Sequence, residues 1–397
     1  MPLSIAVIGA GVGGLSFSVL AHDHGHRVTL FERFVTPKPV GSGLVIQPVG
    51  QAVLDQMGAG DAARALGQPI THMYGHCART GREVLNVAYR GGQPGLALHR
   101  SALFHVLWEK LLARKIALKT GVTIQSFADG FLTDEKGVRF GPFDLVVDCS
   151  GAGSALSPLR PRALSYGAIW GTVPWVDHPD LRMDQLRQKY LGARRMAGIL
   201  PLGLIPGKSG PQAAVFWSMS GTDLDLWPQK RIGDWKQEVA AIWPEMASIL
   251  EPITATDQMT PARYAHGTLR RPYRNGIVFL GDGAHRASPQ LGQGANMALL
   301  DSLALISALN RHADLTEALP AYAAMRRWHV RIYQAFSAVF TPMYQSQSHT
   351  LPLLRDRVLA PMATLPGVRH LLTALVSGDM IPPLAGEIFP PRNGALE

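Results

Sequence analysis

Cysteine is scarce: Cys77 and Cys149 are the two among 397 residues. Two thiols cannot build a disulfide framework, which fits a reducing, cytoplasmic setting. Cys149 lies in an apolar run and reads as a small buried hydrophobe. There is no run of about 20 apolar residues, so no membrane-spanning helix is expected. Pro2 to Ile8 has no basic segment ahead of it and leads straight into a strand and a glycine turn, so no signal peptide is expected. The 41 glycines and 29 prolines are scattered, which excludes collagen-like and low-complexity tracts. No internal repeat is visible. Lysine and arginine are dispersed rather than blocked and no nucleic-acid-binding motif accompanies them, so nucleic acid is not an expected partner. No His or Cys pair has zinc-ligand spacing, and no metal site is expected.

Hydrophobic residues make up 47% and charged residues 17%, enough for a real core. At roughly 100–200 residues per domain, the length suggests two or three structural units. The formal net charge is +9. A basic surface either aids solubility or attracts anions: a nucleotide cofactor, a carboxylated substrate or acidic lipid headgroups.

The first forty residues carry the clearest pattern. Ser4–Ile8 reads as a short buried strand. Gly9-Ala10-Gly11-Val12-Gly13-Gly14 follows, then an apolar helix through Leu15, Val19 and Leu20 that Gly25 ends. Arg27–Phe31 is a second strand, closed by Glu32 and followed by Arg33. This is the context a dinucleotide fingerprint needs. Gly9 allows the tight turn, Gly11 lets the backbone approach a pyrophosphate, and Gly14 lets helix and strand pack closely. Val12 opens the helix, whose free N–H groups and dipole favour negative charge. Glu32 stands near the spacing of about 20 residues expected for a ribose-hydroxyl acceptor. The motif alone does not separate FAD from NAD.

A second strand-to-helix junction lies downstream. Gly276–Leu280 is an apolar strand running into Gly281-Asp282-Gly283-Ala284-His285. Ser288-Pro289 and Leu291-Gly292-Gln293-Gly294-Ala295-Asn296 follow, then a helix through Leu299, Leu303 and Ile306. His285 reads as a structural residue rather than a base. Gly207-Lys208-Ser209 has the tail of a phosphate loop, but Leu202 stands where that loop needs Gly, so a P-loop is rejected.

These residues resemble the group A, single-component FAD-dependent aromatic hydroxylases. That family carries a Gly-Asp motif followed by a Pro and a Gly-Gln-Gly-x-Asn turn. It also has a His-Arg pair before a helix, matched by His99-Arg100, and a Gly-x-Gly stretch after the second strand, matched by Gly41-Ser42-Gly43. The resemblance runs from residue 3 to about residue 310, in order. It implies an α/β fold: a Rossmann-like FAD-binding domain of the aromatic-hydroxylase (glutathione-reductase-like) type, an inserted β-sheet substrate domain and a C-terminal helical tail. The expected boundaries are 1–72, 98–165 and 258–335 for the FAD domain, 73–97 and 166–257 for the substrate sheet, and 336–397 for the tail. It further implies that Asp282 holds the ribityl hydroxyls, that Arg100 contacts the ribityl–phosphate region, and that Gly43 and Ile124 join the cofactor-binding set. The Gly292–Asn296 turn would lie under the pyrimidine edge, with Gln47 and Pro289 beside the isoalloxazine ring. Physics supports that turn independently: reduced flavin is negative at N1–C2=O, and a helix start stabilises such charge.

The chain departs from the family at one motif. After Asp144-Leu145-Val146-Val147-Asp148-Cys149, Ser150 takes the place of the usual Asp and Gly153 that of the usual Arg. FAD binding is still expected; direct reduction by NAD(P)H is less secure.

Between 166 and 257 the pattern gives strands Ala168–Val173, Met196–Leu202 and Ala213–Met219 and a helix over Asp234–Trp243. Trp170 and Thr172 share one face, as do Phe216 and Ser218, while Trp217 and Met219 share the other. Which face lines a site is open. His72, Tyr74 and His76 alternate on a strand and are candidates for the pocket. The tail mixes apolar helices with Arg355, Arg357, Arg369 and His370. Packing on the FAD domain is favoured there over weak membrane contact.

The resemblance implies a monooxygenase. NAD(P)H would reduce FAD, and a flavin hydroperoxide would transfer one oxygen atom from O₂ to an aromatic or similar electron-rich small molecule. An FAD oxidase or dehydrogenase on the same fold, a flavin halogenase and a non-catalytic flavin-binding protein stay open. A monomer or homodimer is expected.

Overall fold

The computed structural model describes residues 2–37, 41–386 and 389. At its centre lies a parallel sheet in the order Ile277–Phe279, Leu145–Asp148, Ser4–Ile8, Arg27–Glu32 and Ala117–Thr120, with Tyr273–Arg274 antiparallel at one edge. Alternation sends Ile5 and Val7 into the helical core with Leu15, Val19 and Leu300. Ala6 and Ile8 face the other way, onto Ile124 and Leu132 of a small antiparallel sheet formed by Ile124–Ala128, Phe131–Asp134 and Arg139–Phe140. Both faces are covered, which is why these strands are apolar without alternation.

The fingerprint glycines act as the spacing predicts. Gly9 sits at φ +95°, a left-handed conformation that favours glycine. A methyl at Gly14 would lie 1.8 Å from the Gly9 carbonyl, so only glycine lets the helix Val12–Asp23 pack on the strand.

The second layer is an eight-stranded sheet in the order His285–Arg286, Thr260–Thr268, Arg162–Pro174, Gln212–Ser220, Arg195–Gly203, Gln185–Leu191, His72–Cys77 and Glu83–Ala88. The three strands expected in the middle of the chain are all present and one to six residues longer at their ends. The expected boundaries shift in two places. Thr260–Thr268 pairs with Arg162–Pro174 and so belongs to this sheet, not to the segment assigned to the FAD domain from 258 onward. Gly95–His99, whose first residues fall in the expected substrate segment, pairs with Gly43–Ile46 and Gln68–Ile70 in a small sheet between the layers. Local alternation identifies a strand but not its partner, because partners are set by tertiary packing.

The faces resolve clearly. Ile169, Val173, Trp217 and Met219 point outward and are covered by Trp227 and by the helix Ile232–Ile242. Trp170 and Phe216 point inward, toward the first domain, where the strand Gly43–Ile46 packs on Leu202 and Ala214. A 30-residue helix, Leu315–Tyr344, links the layers: Tyr322 is buried in the parallel-sheet core and Tyr344 packs on Tyr190 of the large sheet. The helix Pro366–Ser377 closes over Met297 and Tyr333, so the described part of the tail packs on the body. Among the described residues no single helix is long and apolar enough to cross a membrane; one bent pair, Thr350–Met362 with Pro366–Ser377, turns by 109°. Residues 387, 388 and 390–397 of the expected tail lie outside the described residues.

Candidate active site

Two helix starts stand side by side. A methyl on Gly13 would lie 3.5 Å from the Ala298 side chain, and Ser302 Oγ donates to the Gly13 carbonyl at 3.1 Å. The helices Val12–Asp23 and Gly294–Arg311 therefore present their amino ends, each with unsatisfied N–H groups, to the same edge of the molecule. At the first, Gly11 is exposed and a methyl there would meet nothing within 4 Å, so the backbone is open to a ligand.

Behind it Glu32 is buried. Its Oε2 accepts from Ala10 N at 2.8 Å and its Oε1 from Phe34 N at 2.9 Å, which fixes the carboxylate at the strand end. Arg33 stacks on Phe34 at 4.8 Å and is exposed. A methyl on Gly153 would lie 3.8 Å from Arg33 Nη1. A cation just past the strand Arg27–Glu32 thus stands beside the position where the resembled motif has its arginine. Ile124 is 6% exposed and packs with Phe31 and Leu132, inside the core under the small antiparallel sheet.

The Ser150 departure has a structural use. Asp148 is fully buried and accepts hydrogen bonds from Ser150 N at 2.9 Å and from the hydroxyls of Ser150 and Ser154. Ser157 Oγ then donates to the Gly283 carbonyl at 2.6 Å, tying this loop to the Gly-Asp turn. Cys149 packs against the helical core, and burial, with Asp148 and Asp301 adding to it, pushes its thiol well above the ordinary range. It is the inert small hydrophobe expected.

Arg100 and Asp282 lie close enough for their charges to interact. Arg100 opens the helix Arg100–Ala113, and its N–H donates to the Ser42 carbonyl at 2.9 Å. Its guanidinium lies deep among protein atoms, and burial holds its pKa below the ordinary value, with Asp282 and Tyr264 opposing that shift. Yet its surface is exposed, the combination that marks a cleft wall. Asp282 is exposed at the strand end. A methyl on Gly41 would lie 2.8 Å from Arg100 Cδ, and one on Gly43 would strike Leu202 at 2.6 Å. His99 caps the same helix: its Nδ1 accepts from Ser101 N at 3.1 Å, and burial, then Lys208 and Arg100, push its pKa down to about 4.

The second turn is built around Asn296, which is fully buried. Its Oδ1 accepts from Gln47 N at 2.8 Å, and its Nδ2 donates to the carbonyls of Val45 at 3.2 Å and Gly292 at 3.1 Å. Asn296 thereby clamps the turn onto the end of the Gly43–Ile46 strand. Gly292 has φ +62° and its N–H donates to the Pro289 carbonyl at 2.9 Å. Pro289 and Gly294 are exposed on this turn, and Ala295 is half-buried. Gln47 is fully buried; its Oε1 accepts from Tyr89 Oη at 2.6 Å, while its Nε2 has no partner and lies 3.4 Å from where a Gly292 methyl would stand. A buried donor without a partner is costly, unless a ligand completes it.

Across from this turn the large sheet offers an apolar wall. Trp170 packs on Phe216 with ring centroids 4.5 Å apart and planes tilted by 30°, with Met73, Leu186 and Phe340 around them. Trp170 Nε1 donates to Tyr264 Oη at 3.0 Å, and burial pushes the Tyr264 phenol up to about 12. His72, Tyr74 and His76 stack on one another and alternate with Met73, so they occupy the other face of their strand and do not join this wall.

Residues absent from the sequence reading also shape the site. Asp301 is fully buried and accepts from His285 Nε2 at 2.6 Å, Arg326 Nε at 2.8 Å and Gly281 N at 2.9 Å. Burial opposes its charge, but His285 and Arg326 outweigh it and hold the carboxyl far below the usual range. His285 is structural, as expected. The signal available in the sequence was an acid on the buried stripe of an apolar helix. Tyr89, the orienter of Gln47, follows a strand end and carries no such signal.

Comparison with known proteins agrees with this geometry. The FAD binding domain family matches residues 3–333. The 3-amino-4-hydroxybenzoate 2-monooxygenase of Streptomyces cremeus is 30% identical over 346 residues, covering 82% of this chain and 83% of that one. The 6-methylpretetramide 4-monooxygenase of Streptomyces rimosus is 26% identical over 407 residues, covering 97% and 94%. Among solved structures, Klebsiella pneumoniae HpxO complexed with FAD and uric acid superposes with a TM-score of 0.79 at 20% identity, covering 95% and 98%. The chain belongs to the FAD binding domain family, and within it to the FAD-dependent monooxygenases of the single-component aromatic-hydroxylase type.

Proposed function

We propose that this protein inserts one oxygen atom from O₂ into an aromatic or similarly electron-rich small molecule, with NAD(P)H as reductant. The observation that carries the reading is the pair of adjacent helix starts, one open at Gly11 and the other facing the unpartnered Gln47 amide, with Arg100 and Asp282 close enough for their charges to interact. These residues fit FAD. Gly9, Gly11, Val12 and Gly14 would hold the pyrophosphate, Glu32 the ribose, and Arg33 the adenosine side. Ile124 would support that end from the core. Arg100, Asp282 and Gly43 would hold the ribityl–phosphate stretch. Gly292, Gly294, Ala295 and Asn296 would meet the pyrimidine edge, with Gln47 and Pro289 beside the ring system.

FAD held by these residues would supply the redox chemistry, hydride acceptance from NAD(P)H and activation of O₂. The chain's own contribution is placement and exclusion of water. Tyr89 fixes the Gln47 amide so that Nε2 stays a donor. The start of the helix Gly294–Arg311 favours negative charge at the turn. Trp170 and Phe216 offer an aromatic ring an apolar surface. The test is isotopic: turnover under ¹⁸O₂ should label the organic product. Unlabelled oxidised product with stoichiometric H₂O₂ would replace this reading by that of an oxidase.

Weak contact of the tail with an acidic membrane surface is a further part of the reading. Exposed Leu353, Leu354, Val358, Met362, Leu365 and Leu371 stand beside exposed Arg357 and Arg369 and support it. Co-sedimentation with phosphatidylglycerol vesicles tests it, and a light-scattering mass tests the expected monomer or homodimer.

A further inference from the structure

The loop Thr268–Tyr273 and residues 320–331 of the helix Leu315–Tyr344 line an open cavity of about 190 Å³. It shares no residue with the flavin set named above. Its lining brings together Arg270, Arg271, Arg326, Arg327 and Arg331, with Asp301 the one acidic side chain. That carboxylate is already taken by His285 and Arg326 on the cavity floor. Arg270, Arg271, Arg327 and Arg331 are all exposed, and among the described residues none of the four has a carboxylate partner. Two are braced on aromatic rings instead: Arg271 lies 5.3 Å from the Tyr273 centroid and Arg331 5.6 Å from that of Trp328.

Gathering like charges in this way is unfavourable by itself. Arg327 and Arg331 are one helical turn apart, a spacing at which like charges repel. A concave wall concentrates the field they produce. The arrangement becomes favourable when an anion with several oxygens enters, because each guanidinium fork can meet two of them. The geometry points to a binding site for a small phosphorylated molecule, a mono- or diphosphate, held by Arg270 and Arg271 from the loop and Arg327 and Arg331 from the helix. It also gives part of the excess positive charge of +9 a location and a use.

Titration calorimetry of the FAD-loaded protein with sodium pyrophosphate, at constant ionic strength, tests this; bound FAD keeps the Gly11 turn occupied. Saturable one-site binding is expected. Arg270→Ala/Arg271→Ala and, separately, Arg327→Ala/Arg331→Ala should each weaken it roughly tenfold or more, while the flavin spectrum stays unchanged. Arg79→Ala/Arg82→Ala removes the same charge elsewhere on the surface and should leave affinity intact. Tighter binding of ADP than of pyrophosphate would identify the source as a nucleotide, and the reverse order as free phosphate; either supports the site. No saturable heat, or equal weakening by all three double variants, overturns it.

Discussion

Asp301→Asn removes the negative charge from a side chain that is fully buried and serves three donors at once. The shape is kept, but the new amide can accept from only some of Arg326, His285 and Gly281, and its own N–H₂ faces donors. Arg326, 3% exposed, is left as an uncompensated buried cation. Breaking such a pair from one side costs about 3–5 kcal/mol. Unfolding entropy of about 2.1 cal/mol/K per residue, over this chain, gives about 0.8 kcal/mol/K, so Tm should fall by about 4–6 °C. A pH signature accompanies it. The Asp301 carboxyl titrates lower folded than unfolded. Its contribution is therefore complete above the ordinary carboxylate pKa of about 3.9 and is lost as pH falls through the lower folded value. The variant should lack that part of the acid-unfolding slope. Arg326→Met should restore part of the loss in the double variant, because the two side chains interact directly. Differential scanning calorimetry from pH 7 to pH 3 reads all of this. A Tm change below about 1 °C, with an unaltered acid profile, would refute the reasoning.

Arg100→Ala and Asp282→Ala should each purify with little flavin, as the 450 nm to 280 nm absorbance ratio will show; stoichiometric FAD in both would remove them from the site. Tyr89→Phe frees the Gln47 amide, so FAD should stay bound while more of the reductant ends as H₂O₂, measured by oxygen return on adding catalase. The imidazole of His329 is pushed down to about 3 by burial and then by Arg326. The unfolded chain thus binds the extra proton first, and stability is complete above about pH 6.5 and declines toward pH 3. This side chain should contribute a loss of up to about 2 kcal/mol between pH 6.5 and pH 5, read as a fall in urea midpoint that His329→Gln abolishes.

The parallel sheet and both glycine turns were legible because their signals are local. Gly9 and Gly14 are demanded by a dihedral angle and a close contact within a few residues. Four strands of the large sheet were legible as strands, but Gln185–Leu191, Glu83–Ala88 and Thr260–Thr268 were not, and the expected boundaries placed Thr260–Thr268 and part of Gly95–His99 apart from the strands they pair with, since pairing is a long-range property. The same limit applies to polar partners. Gln47 could be singled out by resemblance, but Tyr89, 42 positions away in sequence, is joined to it only by the fold. Trp170 could be placed on a strand face, while which face looked inward depended on the strand Gly43–Ile46 packing against Leu202 and Ala214.

FAD titration of deflavinated protein, wild type beside Gly11→Val, measures the ligand role of the first helix start apart from its structural role. A Cβ at Gly11 would meet no protein atom within 4 Å, so the variant should fold with an apoprotein Tm close to that of the wild type. The wild type should take up one FAD per chain, with the variant binding at least about tenfold more weakly as its side chain occupies the pyrophosphate position. Equal FAD affinity in the two proteins, or no flavin uptake by the wild type, would contradict the account.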